Sequence, residues 1–138
     1  MSKPQTKKRV GVLISGRGSN LQSLIDAARA EQYPAEIALV ISDKPDAYGL
    51  QRAKEAGIET RVIERKDFAD KPAFEAAIDD SLRSADIEIV CLAGFMRLLS
   101  PWLVDRWLGK LINIHPSLLP SFKGLDAQGQ AIRAGVRI

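Results

Sequence analysis

Five short apolar runs limit what this chain can fold into: VGVLIS at 10–15, IALVIS at 37–42, TRVI at 60–63, IEIVCLAG at 87–94 and LINI at 111–114. Near-continuous apolar runs of this length, rich in Val and Ile, read as strands buried on both faces. Between them, apolar residues recur at helical spacing. Leu21, Leu24, Ile25 and Ala28 form one buried stripe, for which Ser19 and Asn20 are candidate caps. A second helix is predicted from about Ala47 to Ala56, closed by Gly57 in the left-handed conformation. Phe74, Ala77, Ile78 and Leu82 make a third stripe, opened by Asp70 with Pro72 in the first turn. Ser100 and Pro101 start a short helix that can bury Trp102, Leu103 and Trp107. Repeated strand, helix, strand order specifies an α/β fold: a mainly parallel, Rossmann-like sheet with helices on both faces.

At 138 residues and 46% hydrophobic content the chain suits one domain with a real core. Its net charge of +3 comes from the N-terminus, where Lys3, Lys7, Lys8 and Arg9 precede the first apolar run. The expected organisation is a flexible basic tail over residues 1–8 and a single α/β domain over 9–138, with no nucleic-acid partner. VGVLIS is too short for a signal-peptide core or a bilayer span, so a cytoplasmic protein without a membrane partner is expected. One cysteine, Cys91, and one histidine, His115, supply no cluster for a metal, and none is expected. Near the end, Ala131, Ile132 and Ala134 have helical spacing, Gly135 would stop that helix, and VRI starts what reads as another strand. The domain is therefore expected to be incomplete, part of a longer protein.

Two segments carry candidate chemistry. SGRGSNL, residues 15–21, joins the first strand to the first helix at the carboxyl edge of the sheet, where ligands bind in parallel α/β folds. Gly16 and Gly18 let the backbone approach an anion, and the N–H groups of Gly18, Ser19 and Asn20 would sit at the positive end of the helix dipole. Alternatively, both glycines only make a tight turn. The dinucleotide fingerprint G-x-G-x-x-G fails at its third glycine, replaced by Leu21, which is expected to obstruct close helix–strand packing. Asp43, at the end of the second strand, could still hold a ribose hydroxyl, which keeps a nicotinamide-dependent dehydrogenase in view.

The second segment is LINIHPSLLPSFKG, residues 111–124. Asn113 and His115 are two apart on a predicted strand and share one face, with Ile112 and Ile114 on the other. An imidazole there can exchange a proton near neutral pH, and a neighbouring carboxamide can donate to a developing oxyanion, which suits acyl transfer. The alternative is a strand-end histidine satisfied by a backbone carbonyl. No G-x-S-x-G elbow is present, and Cys91, between Val90 and Leu92, reads as a buried inert thiol. Direct transfer between substrates is favoured over a covalent enzyme intermediate.

Together, VLISGRGSNLQ, SDKPDAYGLQRAKEAGI, VCLAGFMRLLSP and LINIHPSLLPSFKGLDAQGQAI make residues 9–138 resemble the folate-dependent phosphoribosylglycinamide formyltransferases of purine biosynthesis. The resemblance implies that Gly18, Ser19 and Asn20 hold the substrate phosphate. It implies a folate site formed by Met96, Arg97, Leu98 and Leu99, with Lys71 contributing or merely solvated at a helix start. The implied reaction moves the formyl group of 10-formyltetrahydrofolate, a cosubstrate, to the amine of 5'-phosphoribosylglycinamide. Asn113 would bind the oxyanion, and His115 would stabilise that charge and act as general acid. The family's catalytic aspartate falls beyond residue 138; Asp126 does not match its position and suits a turn or cap. A chain limited to these residues is expected to turn over weakly or not at all. The rivals are a formyltetrahydrofolate hydrolase, in which water replaces the amine, and a nonenzymatic phosphate- or nucleotide-binding module.

Overall fold

The computed structural model describes residues 7–114. Five strands, β1 (Lys8–Ile14), β2 (Ala35–Ser42), β3 (Glu59–Val62), β4 (Ile89–Leu92) and β5 (Leu111–Asn113), form one sheet in the order β3-β2-β1-β4-β5. Every pairing is parallel. The crossovers are α1 (Ser19–Ala28), α2 (Tyr48–Glu55), α3 (Lys71–Ser84) and α4 (Pro101–Arg106), with one 3-10 turn at Arg65–Asp67.

Alternation along the strands divides the apolar residues into two cores. Val10, Val12 and Ile14 of β1 pack with Leu21, Leu24 and Ile25 of α1 and with Leu50 and Ala53 of α2. Leu13 of β1 and Leu92 of β4 pack on the opposite side with Phe74, Ile78 and Leu82 of α3, Leu103 and Val104 of α4, and Trp107 just after it. This two-sided burial is why β1, β4 and the second half of β2 read as unbroken apolar runs. The run TRVI is expected to be buried likewise, but β3 lies at the edge of the sheet with no buried residue, and its Val62 is exposed. Asp70 caps α3, its carboxylate accepting from the Ala73 N–H at 2.9 Å, with Pro72 in the first turn.

Four other local expectations change. Lys8, assigned to the tail, is the first residue of β1, and its N–H donates to the Pro34 carbonyl at 2.9 Å. Arg9 is equally structural: its guanidinium donates to the Ala85 carbonyl through Nε at 3.1 Å and Nη2 at 2.8 Å. Strand pairing with Ala35 and Glu36 carries the sheet past the apolar run into these basic residues. Second, Ser19 and Asn20 lie inside α1; the capping position belongs to Gly18, without a side-chain bond. Third, Ala93 and Gly94 leave the sheet after Leu92 and start a loop. Fourth, Trp102 is 45% exposed and lies under the Arg106 guanidinium, because the inward face of α4 is Leu103, Val104 and Trp107. The helix and strand expected over residues 131–138 fall outside the described residues.

Candidate functional site

Parallel strands deliver their carboxyl ends to one edge, so the loops after β1, β2 and β4 and the end of β5 meet there. The loop after β1 is held by backbone. Gly18 has φ +78°, and a Cβ on it would come within 2.6 Å of the Gly49 Cα. Gly49, at the start of α2, is confined in turn, since its own Cβ would meet Ile14 Cδ1 at 2.5 Å. The Gly49 N–H donates to the Gly16 carbonyl at 3.0 Å, and Arg52 Nε donates to the Arg17 carbonyl at 2.8 Å.

This clamp explains the broken fingerprint. Leu21 does not obstruct packing; it is fully buried in the core, and the close approach is made between Gly18 and Gly49 instead. The first turn of a helix leaves its N–H groups without intrahelical acceptors, here those of Gly18, Ser19, Asn20 and Leu21. Beside them opens a cleft of about 430 Å³ lined by Ser15, Gly16, Arg17, Gly18, Ser19, Asn20, Ala93, Gly94 and Met96. Backbone donors and the helix dipole make it suited to an anion. The three residues expected to hold a phosphate are thus brought together on one wall.

The same cleft adjoins β5. Asn20 Nδ2 donates to the Ile114 carbonyl at 3.4 Å, and the Ile114 N–H donates to the Leu92 carbonyl at 3.0 Å. Ile112 and Ile114 belong to the α1/α2 core and Leu111 to the α3/α4 core, so the half-buried Asn113 lies on the opposite face from the two isoleucines. That is the face expected for it. His115 lies outside the described residues.

A second groove, about 260 Å³, is lined by Arg65, Lys71, Phe74, Met96, Arg97 and Leu98. Met96 is 79% exposed and Leu98 is 62% exposed, and the described lining holds three cations, Arg65, Lys71 and Arg97, the last of them paired from behind with Asp43. Four of the five residues expected at a folate site therefore share one groove. Leu99 does not; it packs half-buried against the α3/α4 core. Met96 is a wall of both the groove and the glycine cleft.

The loop carrying Met96 and Arg97 is held by buried side chains. Asp43, only 3% exposed, accepts from Ser15 Oγ at 2.6 Å and from Arg97 Nε at 2.7 Å. The Ser15 hydroxyl also accepts from the Met96 N–H at 2.9 Å. Arg97 stacks over Phe74, 5.4 Å from the ring centroid. Further along, buried Glu75 accepts from the Ser100 N–H at 2.9 Å and from its hydroxyl. Asp43 is thus committed within the protein, which removes its expected role toward a ribose and with it the main support for a dehydrogenase. Arg65, Phe74 and Glu75 were not singled out from the sequence as members of this region, because no local motif marks them there, and Ser15, although it opens the SGRGSNL segment, gave no sign of its bonds to Asp43 and Met96. Burial pushes the Cys91 thiol far above its ordinary pKa, which keeps it protonated and inert. Among the described residues no group of three His, Cys, Asp or Glu side chains is placed to hold a metal ion, and no helix is long and apolar enough to cross a membrane.

Fold and site define a parallel α/β protein with a glycine-loop cleft and a cationic, partly apolar groove opening side by side at the carboxyl edge of its sheet. The chain belongs to the formyl transferase family, which it matches over residues 8–138. It is 49% identical to the phosphoribosylglycinamide formyltransferase of Haemophilus influenzae, across 93% of this chain and 60% of that protein. It is 54% identical to the trifunctional purine biosynthetic protein adenosine-3 of Drosophila melanogaster, across 95% of this chain and 10% of that protein. The crystal structure of phosphoribosylglycinamide formyltransferase from Brucella melitensis superposes with a TM-score of 0.78 at 50% identity, covering 95% of this chain and 68% of that one. The chain thus spans about a tenth of the trifunctional relatives and about 60% of the Haemophilus protein.

Proposed function

We propose that the protein containing this chain transfers the formyl group of 10-formyltetrahydrofolate to the amine of 5'-phosphoribosylglycinamide, as the names of its relatives suggest. The observation that carries this reading is the shared wall at Met96. A cleft suited to a phosphate and a groove suited to a flat, partly apolar, anionic molecule adjoin, so two such substrates can meet at the edge where β5 ends. Gly18, Ser19 and Asn20 would hold the nucleotide phosphate through N–H groups at the start of α1. Met96, Arg97 and Leu98 would flank the folate, Lys71 would supply charge at the rim, and Leu99 would contribute through backbone, its side chain being turned into the core.

The amine nitrogen attacks the formyl carbon, whose oxygen takes up negative charge. The bond between that carbon and folate N10 then breaks, and the proton lost by the amine is matched by one delivered to N10. In this scheme Asn113 donates to the oxyanion, and protonated His115 stabilises it and serves as general acid. These two groups supply the polarisation, so the reaction as proposed needs no metal, and it runs in the cytoplasm.

The test supplies full-length protein with 10-formyltetrahydrofolate, with and without the nucleotide. Formylated nucleotide should form, and tetrahydrofolate should be released only when the nucleotide is present. Release that ignores the nucleotide would replace this reading with a hydrolase, and ligand-dependent thermal stabilisation without product would replace it with a binding module. In the same full-length protein His115→Ala should lower kcat by about a hundredfold or more, the usual scale for general acid catalysis. Nearly unchanged turnover would leave His115 with a packing role only.

A further inference from the structure

We infer that Asp43 is a positioning residue for the formyl-donor groove, acting through Arg97 and, by way of the Ser15 hydroxyl, through the Met96 backbone. The inference rests on the proposed reaction for its kinetic consequences, though not for its structural ones. Asp43 follows β2, Ser15 follows β1 and Met96 follows β4, so one carboxylate ties together three strand ends that are distant in sequence.

Each bond has a directional consequence. The Ser15 hydroxyl gives its single proton to Asp43 Oδ1, which leaves its oxygen lone pairs for the Met96 N–H. Asp43 Oδ2 fixes Arg97 through Nε, and Phe74 supports the guanidinium from one face. Among the described residues none takes a hydrogen bond from the two terminal guanidinium nitrogens of Arg97, and these are the nitrogens that would meet an anionic ligand in the groove. A long arginine side chain has considerable rotamer freedom to lose, and a buried carboxylate bound to Nε removes most of it before any ligand arrives. The groove wall at Met96, Arg97 and Leu98 is thereby held in place by a residue that does not line it. The glycine cleft has a further clamp of its own, from Gly49 and Arg52, and shares only Ser15 and Met96 with the Asp43 network, so the effect of Asp43 should fall mainly on the donor.

Asp43→Asn preserves size but offers a single acceptor oxygen, which cannot serve both Ser15 and the arginine with full charge. In full-length protein the KM for the formyl donor should rise about tenfold, the scale of one charge-assisted hydrogen bond, with a clearly smaller rise in nucleotide KM and kcat within about twofold. Placed on an Arg97→Met background, the same substitution should add little further change in donor KM. Amide hydrogen exchange gives a readout independent of activity: the Met96 amide should lose protection in Asp43→Asn while β1 and β2 keep theirs. If wild-type protein makes no formylated nucleotide, the reaction assignment falls, and the exchange result still decides the role of Asp43. Equal rises in both KM values, or unchanged protection at Met96, would overturn the inference. Should Asp43→Asn not fold, Ser15→Ala reads the same link, and a Met96 amide that stays protected in it would equally overturn the inference.

Discussion

The loop after β1 and the loop after β4 face each other across Met96, yet they are held in opposite ways. The first is shaped by what is missing: two glycines in van der Waals contact, a positive φ and backbone hydrogen bonds to the start of α2. The second is shaped by buried carboxylates, Asp43 and Glu75, that reach it from β2 and α3. Backbone donors suit an anion whose place must be fixed with little side-chain freedom. Side chains anchored from several elements suit a broader, mixed surface. Damage confined to the Gly18–Gly49 clamp should therefore leave the donor groove largely unaffected, whereas damage to the loop after β4 can reach the glycine cleft through Ala93, Gly94 and Met96.

The harshest way to break the contrast is Gly18→Val. It forces a β-branched residue to positive φ and drives its Cβ into the Gly49 backbone. We expect a loss of at least about 2 kcal/mol of stability in denaturant titration, with nucleotide binding abolished. Glu75→Ala should come next, at about 2 to 3 kcal/mol in the same titration, since it strands the Ser100 N–H and opens a cavity beneath α4. Donor affinity should fall with it, and nucleotide affinity should not.

Cys91 sharpens the comparison by pH. Its folded-state pKa lies above the ordinary value of 9.0, so the folded chain keeps a proton that the unfolded chain releases. The stability this contributes is full below pH 9.0 and declines as pH rises above it, by up to about 1.4 kcal/mol per pH unit. Cys91→Ala should flatten that part of the stability profile, and because the residue is in the sheet interior, neither ligand's affinity should acquire a new pH dependence. The smallest effect is expected at Lys71, which is exposed at the start of α3. Lys71→Ala should weaken donor binding by about 0.5 kcal/mol or less, an effect that disappears as salt is raised.

These differences follow how much of each feature is local in sequence. The central strands, α1 and α3 were legible because two-sided burial and helical stripes repeat within a few residues, and α2 was legible from the glycine, Gly57, that closes it at positive φ. The glycine loop was legible for the same reason, since G-x-G after an apolar run implies close backbone approach. Its partner Gly49 was not, because nothing near Tyr48 or Leu50 states that α2 will abut Gly18. The Asp43–Arg97 and Ser15–Met96 bonds join residues 54 and 81 positions apart, so they exist only once β2, β1 and β4 are neighbours. Asp43 illustrates the limit well: its position at a strand end suggested a ribose partner, and the folded arrangement gives it a hydroxyl and a guanidinium instead. Lys8 and Arg9 show the converse, charged residues drawn into β1 by pairing that apolar pattern cannot report.

The most direct test of the two adjoining subsites follows the formyl carbon itself. Full-length protein is mixed in a single turnover with 10-formyltetrahydrofolate labelled at that carbon and with 5'-phosphoribosylglycinamide. The label should be recovered on the glycinamide nitrogen, in step with tetrahydrofolate appearance. Label recovered as free formate, at a rate indifferent to the nucleotide, would contradict the account.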